Sequence, residues 1–195
     1  MYGEDIAIYD NKEFRYWDPY RSKYSAAIYN GLRDIYIKEG YTVLYLGAAS
    51  GTTASHVADL IGRDGMIFCV EFSARTMRDL LNVTAIRKNM IPILGDARTP
   101  EQYRALVTTV DVIYQDVAQP QQADILVKNA RAYLKKGGIT LLAIKARSID
   151  VTKEPSIIYR QEIETLEKNN FEILETVELE PYDKDHTLVV SKYLG

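Results

Sequence analysis

Residues 43–53 read Val43-Leu44-Tyr45-Leu46-Gly47-Ala48-Ala49-Ser50-Gly51-Thr52-Thr53 and carry three signals in one stretch. The first four residues form a continuous apolar run, which is typical of a strand buried on both faces. Two glycines and small residues follow, and they let the backbone approach a ligand closely. The threonines then open a helical pattern that continues to Ile61. The stretch therefore predicts a strand, a tight turn and a helix, the repeating unit of a parallel sheet.

The same alternation extends outward from this stretch. Further strands are predicted at residues 66–70, 91–94, 110–114 and 139–144, and further helices at 74–87, 100–107, 121–134 and 156–168. Two last strands, at 171–179 and 186–190, are joined closely enough to form an antiparallel hairpin. Before the stretch, runs at 6–9 and 14–17 predict a β-hairpin, and a helix is expected from about Ser22 to Lys38. We expect an α/β fold with a mostly parallel seven-stranded sheet, a short N-terminal β appendage (1–20) and one main domain (21–195).

Composition and charge limit the function. The 195 residues are 47% hydrophobic and 26% charged, which fits one globular domain with its own core. The single cysteine, Cys69, lies in an apolar run and is expected to be a buried strand residue. A formal net charge of −3 argues against a protein that binds nucleic acid by bulk electrostatics. The chain has no apolar run of membrane-spanning length and its start has no signal-peptide pattern, so a cytosolic enzyme or complex subunit is expected.

Polar residues after the first three strands of the main sheet predict a nucleoside site, because ligands bind at the carboxyl ends of parallel strands. The turn spacing is G-x-x-x-G, without the Lys of a Walker A loop, which disfavours dinucleotides and nucleoside triphosphates. Glu71 is placed to accept hydrogen bonds from ribose hydroxyls, and Asp96 from an adenine amine. A nucleoside site without a phosphate clamp points to S-adenosylmethionine. Alternatively, the turn is only a turn and Glu71 a surface residue.

Four further residues are candidates for chemistry at the same edge. Asp116 follows the fourth strand and Lys145 ends the fifth, so they can share one site, although a surface salt bridge is the alternative. Lys23 begins a predicted helix, where the helix dipole disfavours a cation. His186 opens the last strand at this edge, whereas His56 lies within a helix and is expected to be structural or solvated.

Five motifs occur in order along the chain: Trp17-Asp18-Pro19-Tyr20-Arg21-Ser22-Lys23, residues 45–53, Val70-Glu71-Phe72-Ser73, Gly95-Asp96-Ala97-Arg98 and Tyr114-Gln115-Asp116-Val117-Ala118-Gln119-Pro120. Together they resemble fibrillarin, the 2′-O-methyltransferase subunit of box C/D guide-RNA particles, in its archaeal form. The resemblance implies a Rossmann-like S-adenosylmethionine-dependent methyltransferase fold. It implies a catalytic Lys23, Asp116, Lys145 and His186, and cofactor contacts from Gly47, Thr52, Thr53, Glu71, Phe72, Asp96, Ala97, Asp116 and Gln119. The N-terminal β region is shorter than is usual in the family, which indicates a truncation or a short natural form.

The hypothesis is 2′-O-methylation of ribose in pre-rRNA and tRNA, with Lys145 as candidate base because clustering with Lys23 and exclusion of water favour its uncharged amine. Residues 135–153 hold five basic side chains against one acidic one, enough for a modest basic rim. We therefore expect a box C/D guide RNA to choose the target. The resemblance implies two further partners, a Nop-domain scaffold and, indirectly, a kink-turn-binding ribosomal-type protein, and it favours archaeal cytoplasm.

Two alternatives remain open. One is a small-molecule O-methyltransferase; such enzymes commonly use a metal, but no second carboxylate is evident beside Asp116, and no metal is predicted. The other is a non-catalytic docking subunit. The chain also has fifteen tyrosines, of which Tyr20, Tyr24, Tyr29 and Tyr36 are expected to serve either a partner interface or the core.

Overall fold

The structure, a computed structural model, describes residues 1–195 and contains nine strands in two sheets. The strands are β1 (Ile6–Tyr9), β2 (Lys12–Arg15), β3 (Thr42–Leu46), β4 (Met66–Glu71), β5 (Met90–Leu94), β6 (Val110–Gln115), β7 (Leu134–Lys145), β8 (Phe171–Glu178) and β9 (His186–Tyr193). β1 and β2 pair with each other, and the other seven form one sheet in the order β5-β4-β3-β6-β7-β9-β8.

The large sheet is parallel from β5 to β7 and antiparallel from β7 through β9 to β8. This confirms the predicted fold class, including the antiparallel pair at the C-terminus. Because β3, β4, β5, β6 and β7 run in the same direction, their carboxyl ends meet at one edge. The strand order reverses direction at β3, which places the turn after β3 in the middle of that edge.

Six α-helices and one 3₁₀ helix connect the strands. They are α1 (Lys23–Tyr29), α2 (Thr52–Ile61), α3 (Ala74–Ile86), α4 (Gln122–Tyr133), α5 (Ala146–Ile149) and α6 (Pro155–Lys168), with the 3₁₀ helix at Pro100–Tyr103. The 3₁₀ helix is shorter than the predicted helix over 100–107, and the single turn α5 was not predicted. None of these helices has the length and apolar character needed to cross a membrane.

Helix α1 corrects the prediction of a helix reaching Lys38, because it ends at Tyr29. Gly31, at φ +91°, lies in the left-handed region just beyond the end of the helix. Its amide donates to the Ile28 carbonyl (3.1 Å), and the Leu32 amide donates to the Ala27 carbonyl (2.9 Å). This is a Schellman motif, which satisfies the last carbonyls and stops the helix. Leu32 still packs against the core, so the apolar spacing indicated burial rather than helix.

The central strands β3, β4 and β6 of the large sheet are buried on both faces, as the continuous apolar runs predicted, whereas the edge strand β8 is only partly buried. Along β3, Val43 and Tyr45 belong to one core cluster, together with residues of α1 and α2, and Leu44 and Leu46 belong to the other, together with residues of α4. Cys69 on β4 is fully buried, which confirms its predicted structural position.

The N-terminal hairpin forms its own sheet and is joined to the main body by side chains around His56. The Trp17 and His56 rings stack with centroids 4.8 Å apart, and the Tyr2 hydroxyl hydrogen bonds to Nε2 of His56. Arg15 bridges Glu4 (2.5 Å) and Asp59 (2.7 Å). His56 is therefore structural, as predicted, while the division into 1–20 and 21–195 stays a prediction.

We expect His56 to make folding stability depend on pH. Burial lowers the pKa of His56 to about 4, with a further contribution from the charge of Arg15. The unfolded chain, with a His pKa of about 6.5, then binds more protons below that pH, so stability is lost as pH falls from about 6.5 to 4. Urea unfolding should show wild type losing on the order of 2–3 kcal/mol more than His56→Phe over this range. Parallel pH dependences for the two proteins would contradict the assignment.

Candidate active site

A cavity of about 340 Å³ opens at the carboxyl edge of the parallel strands. Its volume falls within the range of roughly 300–1,000 Å³ that is typical of small-molecule sites. Seven residues of the predicted cofactor set line it: Gly47, Glu71, Phe72, Asp96, Ala97, Asp116 and Gln119. The cavity also contacts Lys145 of the predicted catalytic set. The structure thus brings members of both predicted groups to one cavity.

The backbone at this edge is tied together across the strand ends. The amides of Gly47 and Ala48 donate to the Val70 carbonyl (2.9 and 3.1 Å), and the Asp116 amide donates to the Leu46 carbonyl (2.9 Å). Gly47 has φ +82°, and a Cβ there would lie 2.5 Å from the carbonyl oxygen of Asp116. Only glycine therefore lets the turn after β3 approach the end of β6 this closely.

Glu71, the last residue of β4, presents a buried carboxylate to the cavity. Its Oε2 accepts from the Ala49 amide (3.0 Å) and its Oε1 from the Ser73 amide (2.8 Å). These two bonds fix the plane of the carboxylate and leave each oxygen with a further lone pair. Glu71 can therefore accept bonds from two neighbouring hydroxyl groups of a ligand, as a ribose presents them.

Asp96 and Ala97 follow β5, and other side chains hold them in place. The Arg98 guanidinium binds both oxygens of Asp96 (2.9 and 3.0 Å from Nε). That hydrogen bond is the main cause of the lowered pKa of Asp96. The carboxylate therefore stays ionised and retains lone pairs for a ligand amine. The side chain of the buried Asn129, on α4, donates to the Ala97 carbonyl (2.8 Å) and so holds the loop after β5 in place.

Thr52 and Thr53 do not line the cavity. Thr53 is buried at the start of α2, where its hydroxyl donates to Oγ of Ser22 (3.0 Å). Ser22 in turn accepts from the Ser25 amide and caps α1. In this structure Thr53 therefore joins α2 to the helix that carries Lys23. Direct cofactor contacts from Thr52 and Thr53 stay a prediction.

Beside the cavity, five side chains are linked in series by ion pairs and by a hydrogen bond from a histidine, and we call this series the charged row. Lys145 Nζ lies 2.8 Å from Oδ1 of Asp116, and Lys23 Nζ lies 3.4 Å from its Oδ2. Lys23 Nζ also lies 3.3 Å from Oδ2 of Asp183, whose Oδ1 is 2.9 Å from Nδ1 of His186. The row therefore joins all four predicted catalytic residues, and Asp183 is the link between Lys23 and His186.

Lys23 is the first residue of α1, a position that the helix dipole disfavours for a cation. Burial acts to lower the pKa of Lys23, but the charges of Asp116 and Asp183 outweigh it and raise the pKa. Lys23 is consequently a resident cation that contacts both carboxylates. It occupies the space between them, so Asp183 does not join Asp116 to form a metal site.

His186 has a defined tautomer. Its Nδ1 lies 2.6 Å from the Lys184 carbonyl, which only accepts hydrogen bonds, so Nδ1 carries a proton. The neutral ring then has its lone pair on Nε2, which can accept a proton.

Comparison with known proteins assigns the family. A family model described as fibrillarin matches residues 1–195 of this chain. The chain belongs to the fibrillarin family. It is 56% identical, over 99% of its length and 82% of the relative's length, to a fibrillarin-like rRNA/tRNA 2′-O-methyltransferase from Staphylothermus marinus.

Two solved fibrillarin structures are similar to the chain along nearly its whole length. One is Aeropyrum pernix fibrillarin in complex with natively bound S-adenosyl-L-methionine, with a TM-score of 0.91 and 56% identity over 97% of this chain and 83% of that one. The other is a fibrillarin/Nop5p complex, with a TM-score of 0.88 and 38% identity over 98% of both chains. The fibrillarin resemblance of the five motifs is thereby confirmed.

Sequence reasoning missed two glutamines that position Lys145 in this fibrillarin-family site. The fully buried Gln122 accepts from the Lys145 amide (2.9 Å) and donates to the Lys145 carbonyl (3.3 Å). Gln115, also fully buried, donates to the Gln122 carbonyl (2.7 Å). A single polar residue at the end of a strand or helix does not reveal from the sequence that it will hydrogen bond to a distant lysine. Asp183 was missed as well, although an acidic residue three positions before His186 was a usable signal.

The four tyrosines singled out in the sequence have different environments in this fibrillarin-family chain. Tyr24 is fully buried in the core, and Tyr36 is half-buried with its hydroxyl on Glu175 (3.0 Å). Tyr20 and Tyr29 are exposed, and both rings pack edge-to-face on Tyr182 (5.1 and 5.8 Å between centroids). Core packing therefore accounts for Tyr24, and an interface role stays open to Tyr20 and Tyr29.

Proposed function

We propose that this chain transfers a methyl group from S-adenosylmethionine to a ribose 2′-hydroxyl of rRNA and tRNA. The observation that carries the proposal is the pair of lysines on the two oxygens of Asp116, at the wall of a cavity suited to a nucleoside. Membership of the fibrillarin family supports it, because the Staphylothermus marinus relative carries this activity in its name.

The lining residues fit the proposed cofactor. Glu71 accepts hydrogen bonds from the two ribose hydroxyls, and Asp96 accepts one from the adenine amine. The exposed ring of Phe72 offers a flat apolar face to the adenine. Asp116 supplies a negative charge for the positively charged sulfur. The Aeropyrum pernix fibrillarin, which has S-adenosylmethionine bound, supports this use of the cavity.

Bound S-adenosylmethionine supplies a sulfonium methyl, to which the ribose 2′-oxygen bonds as the methyl–sulfur bond breaks and the sulfur keeps the electron pair. Lys145, as the uncharged amine, accepts the proton of the 2′-hydroxyl on Nζ. Lys23 remains protonated and stabilises negative charge developing on the 2′-oxygen. Asp116 holds both nitrogens in place, and Nε2 of His186 positions the ribose or relays the proton onward.

We further propose that a guide RNA and protein partners select the target. A chain of net charge −3 has little bulk attraction for RNA, although the basic side chains of residues 135–153 provide a local rim. Base pairing with a box C/D guide RNA then chooses the nucleotide. A Nop-domain scaffold and, through it, a kink-turn-binding protein hold the complex together, and the fibrillarin/Nop5p complex supports the first of these. We place this activity in the archaeal cytoplasm.

The proposal is tested by assembling the chain with a box C/D guide RNA, a Nop-domain protein and a kink-turn-binding protein, and mapping 2′-O-methyl groups on a complementary RNA. We expect methylation at one guided nucleotide, and almost none when the guide is omitted. Efficient site-selective methylation by the chain alone would overturn guide dependence. Chelator-sensitive activity on catechols, or no S-adenosylmethionine binding by calorimetry, would overturn the proposed function.

Glu71→Gln is expected to weaken S-adenosylmethionine binding about 10- to 100-fold, because hydrogen bonds to a charged group contribute roughly 1.5–3 kcal/mol. An amide cannot accept from both backbone donors and also from two ribose hydroxyls. Calorimetric titration measures the change. The matched control is Glu162→Gln on α6, since Glu162 also accepts from a backbone amide, that of Ala123 (2.6 Å), but does not line the cavity. Equal affinities for Glu71→Gln and wild type would contradict the ribose contact.

A further inference from the structure

We propose that Asp183 is a positioning residue for methyl transfer, which holds Lys23 and His186 in their working places. This inference rests on the proposed function. Asp183 lies in the loop between β8 and β9, remote in sequence from Lys23 and from Asp116. It reaches the catalytic group only through the fold.

The first argument is geometric. Asp183 uses one oxygen for each neighbour: Oδ2 lies 3.3 Å from Lys23 Nζ, and Oδ1 lies 2.9 Å from Nδ1 of His186. One carboxylate therefore couples the start of α1 to the start of β9. Without it, Lys23 would be held by Asp116 alone, at 3.4 Å, and the lysine side chain has several rotatable bonds with which to leave.

The second argument is the rigidity of the loop. The Asp183 amide donates to the carbonyl of the buried Leu179 (3.0 Å), and the Ala146 amide at α5 donates to the Asp185 carbonyl (3.2 Å). The side-chain amide of Asn30, at the end of α1, donates through Nδ2 to the backbone carbonyls of Glu178 (2.7 Å) and Glu180 (2.8 Å). The end of α1, the start of α5 and a turn within the loop itself thus fix the backbone that carries the carboxylate, which is what a positioning residue requires.

The third argument is charge. Asp116 is shared between Lys23 and Lys145, and Asp183 supplies Lys23 with a second negative charge in this partly buried group. Burial acts to raise the pKa of Asp183, but the hydrogen bond from His186 and the charge of Lys23 outweigh it and lower the pKa. The carboxylate is therefore ionised at neutral pH. Its charge adds to that of Asp116 in keeping Lys23 a cation.

The test is Asp183→Asn in the complex of the full chain with guide RNA and scaffold proteins, measured as single-turnover methylation of a complementary RNA. The amide keeps the size of the side chain but removes its charge. The Lys184 carbonyl still holds the proton on Nδ1 of His186, so the variant isolates the loss of charge. We expect the rate to fall about 10- to 100-fold, because a displacement of about 1 Å in a catalytic group can cost about 10²-fold, and we expect the S-adenosylmethionine affinity to be unchanged.

The matched control is Asp185→Asn. Asp185 lies in the same loop and pairs with Arg147 (3.0 Å) instead of the charged row, and its φ of +58° is one that asparagine adopts readily. Asp183→Glu, which restores the charge, should recover much of the rate. In a His186→Ala background, Asp183→Asn should slow methyl transfer less than it does in wild type. The contact between the two residues is already lost in that background.

Wild-type rates for Asp183→Asn, equal losses for Asp183→Asn and Asp185→Asn, or equal losses for Asp183→Glu and Asp183→Asn would each overturn the inference. Fully additive effects of Asp183→Asn and His186→Ala would overturn the part that acts through His186. Failure of the proposed function is a different result, because the wild-type complex would then not methylate the guided nucleotide.

Discussion

Lys145→Ala is expected to slow methyl transfer in the assembled complex by roughly 10²–10⁴-fold, the usual contribution of a positioned general base. Lys145 Nζ lies 2.8 Å from Oδ1 of Asp116 at the wall of the cavity, so its removal takes away the proposed proton acceptor and leaves Asp116 with Lys23 only. The affinity for S-adenosylmethionine should change little, because the adenosine contacts come from other strand ends. Single-turnover methylation and calorimetry measure the two quantities separately.

Lys153→Ala is the matched control for Lys145→Ala. It removes the same charge from the same basic segment, but Lys153 pairs with Asp150 (3.7 Å) and has no contact with the charged row. We expect its rate to stay within a few-fold of wild type. A wild-type rate for Lys145→Ala, with cofactor affinity unchanged, would refute the role of Lys145 as base. An equal loss in Lys153→Ala would assign the effect to RNA attraction instead.

Gly47→Ala is expected to abolish measurable S-adenosylmethionine binding and to destabilise the fold by roughly 2–4 kcal/mol. The new Cβ would lie 2.5 Å from the Asp116 carbonyl oxygen and 3.1 Å from Cγ1 of Val117, and the backbone has φ +82°. The contact is with backbone, so no side chain can rotate away to relieve it. The turn after β3 must move, and with it both the cavity and the position of Asp116.

Gly40→Ala separates the two causes of this effect. Gly40 has nearly the same backbone conformation, φ +80°, but a Cβ there meets no atom within 4 Å. We expect Gly40→Ala to lose only the conformational share, about 1 kcal/mol, and to bind S-adenosylmethionine as wild type does. Urea unfolding and calorimetry on both variants check this. Normal cofactor binding by Gly47→Ala would contradict the close approach of the two strand ends.

The fold was predictable because its signals are local. Continuous apolar runs such as Val43-Leu44-Tyr45-Leu46 require burial on both faces. Because these runs alternate with helices, a parallel sheet covered by helices on both faces provides that burial. The error in α1 has a local cause too, since Gly31 marks a helix end and outweighs the apolar spacing that continues to Ile35. In this segment, the glycine that ends the helix outweighs the apolar periodicity that would extend it.

The cofactor cavity was predictable from the sequence because the topology of a parallel sheet brings all strand ends to one edge. Glu71 and Asp96 needed only to follow strands to be placed there. The charged row was predictable only in part. Lys23 and His186 were candidates from their positions in the sequence, but their catalytic role came from the family resemblance. Their contacts depend on distances between segments that are far apart in the chain.

The sequence by itself determined the layered α/β fold, the edge where the cavity lies and most of the residues that line it, because each depends on short-range patterns and on the direction of strands. Tertiary structure alone decided that Asp183 joins Lys23 to His186 and that Gln122 holds Lys145. The physical reason is that hydrogen bonds and ion pairs operate over about 3 Å. Packing of distant segments sets such distances, and periodicity or spacing along the chain does not record them.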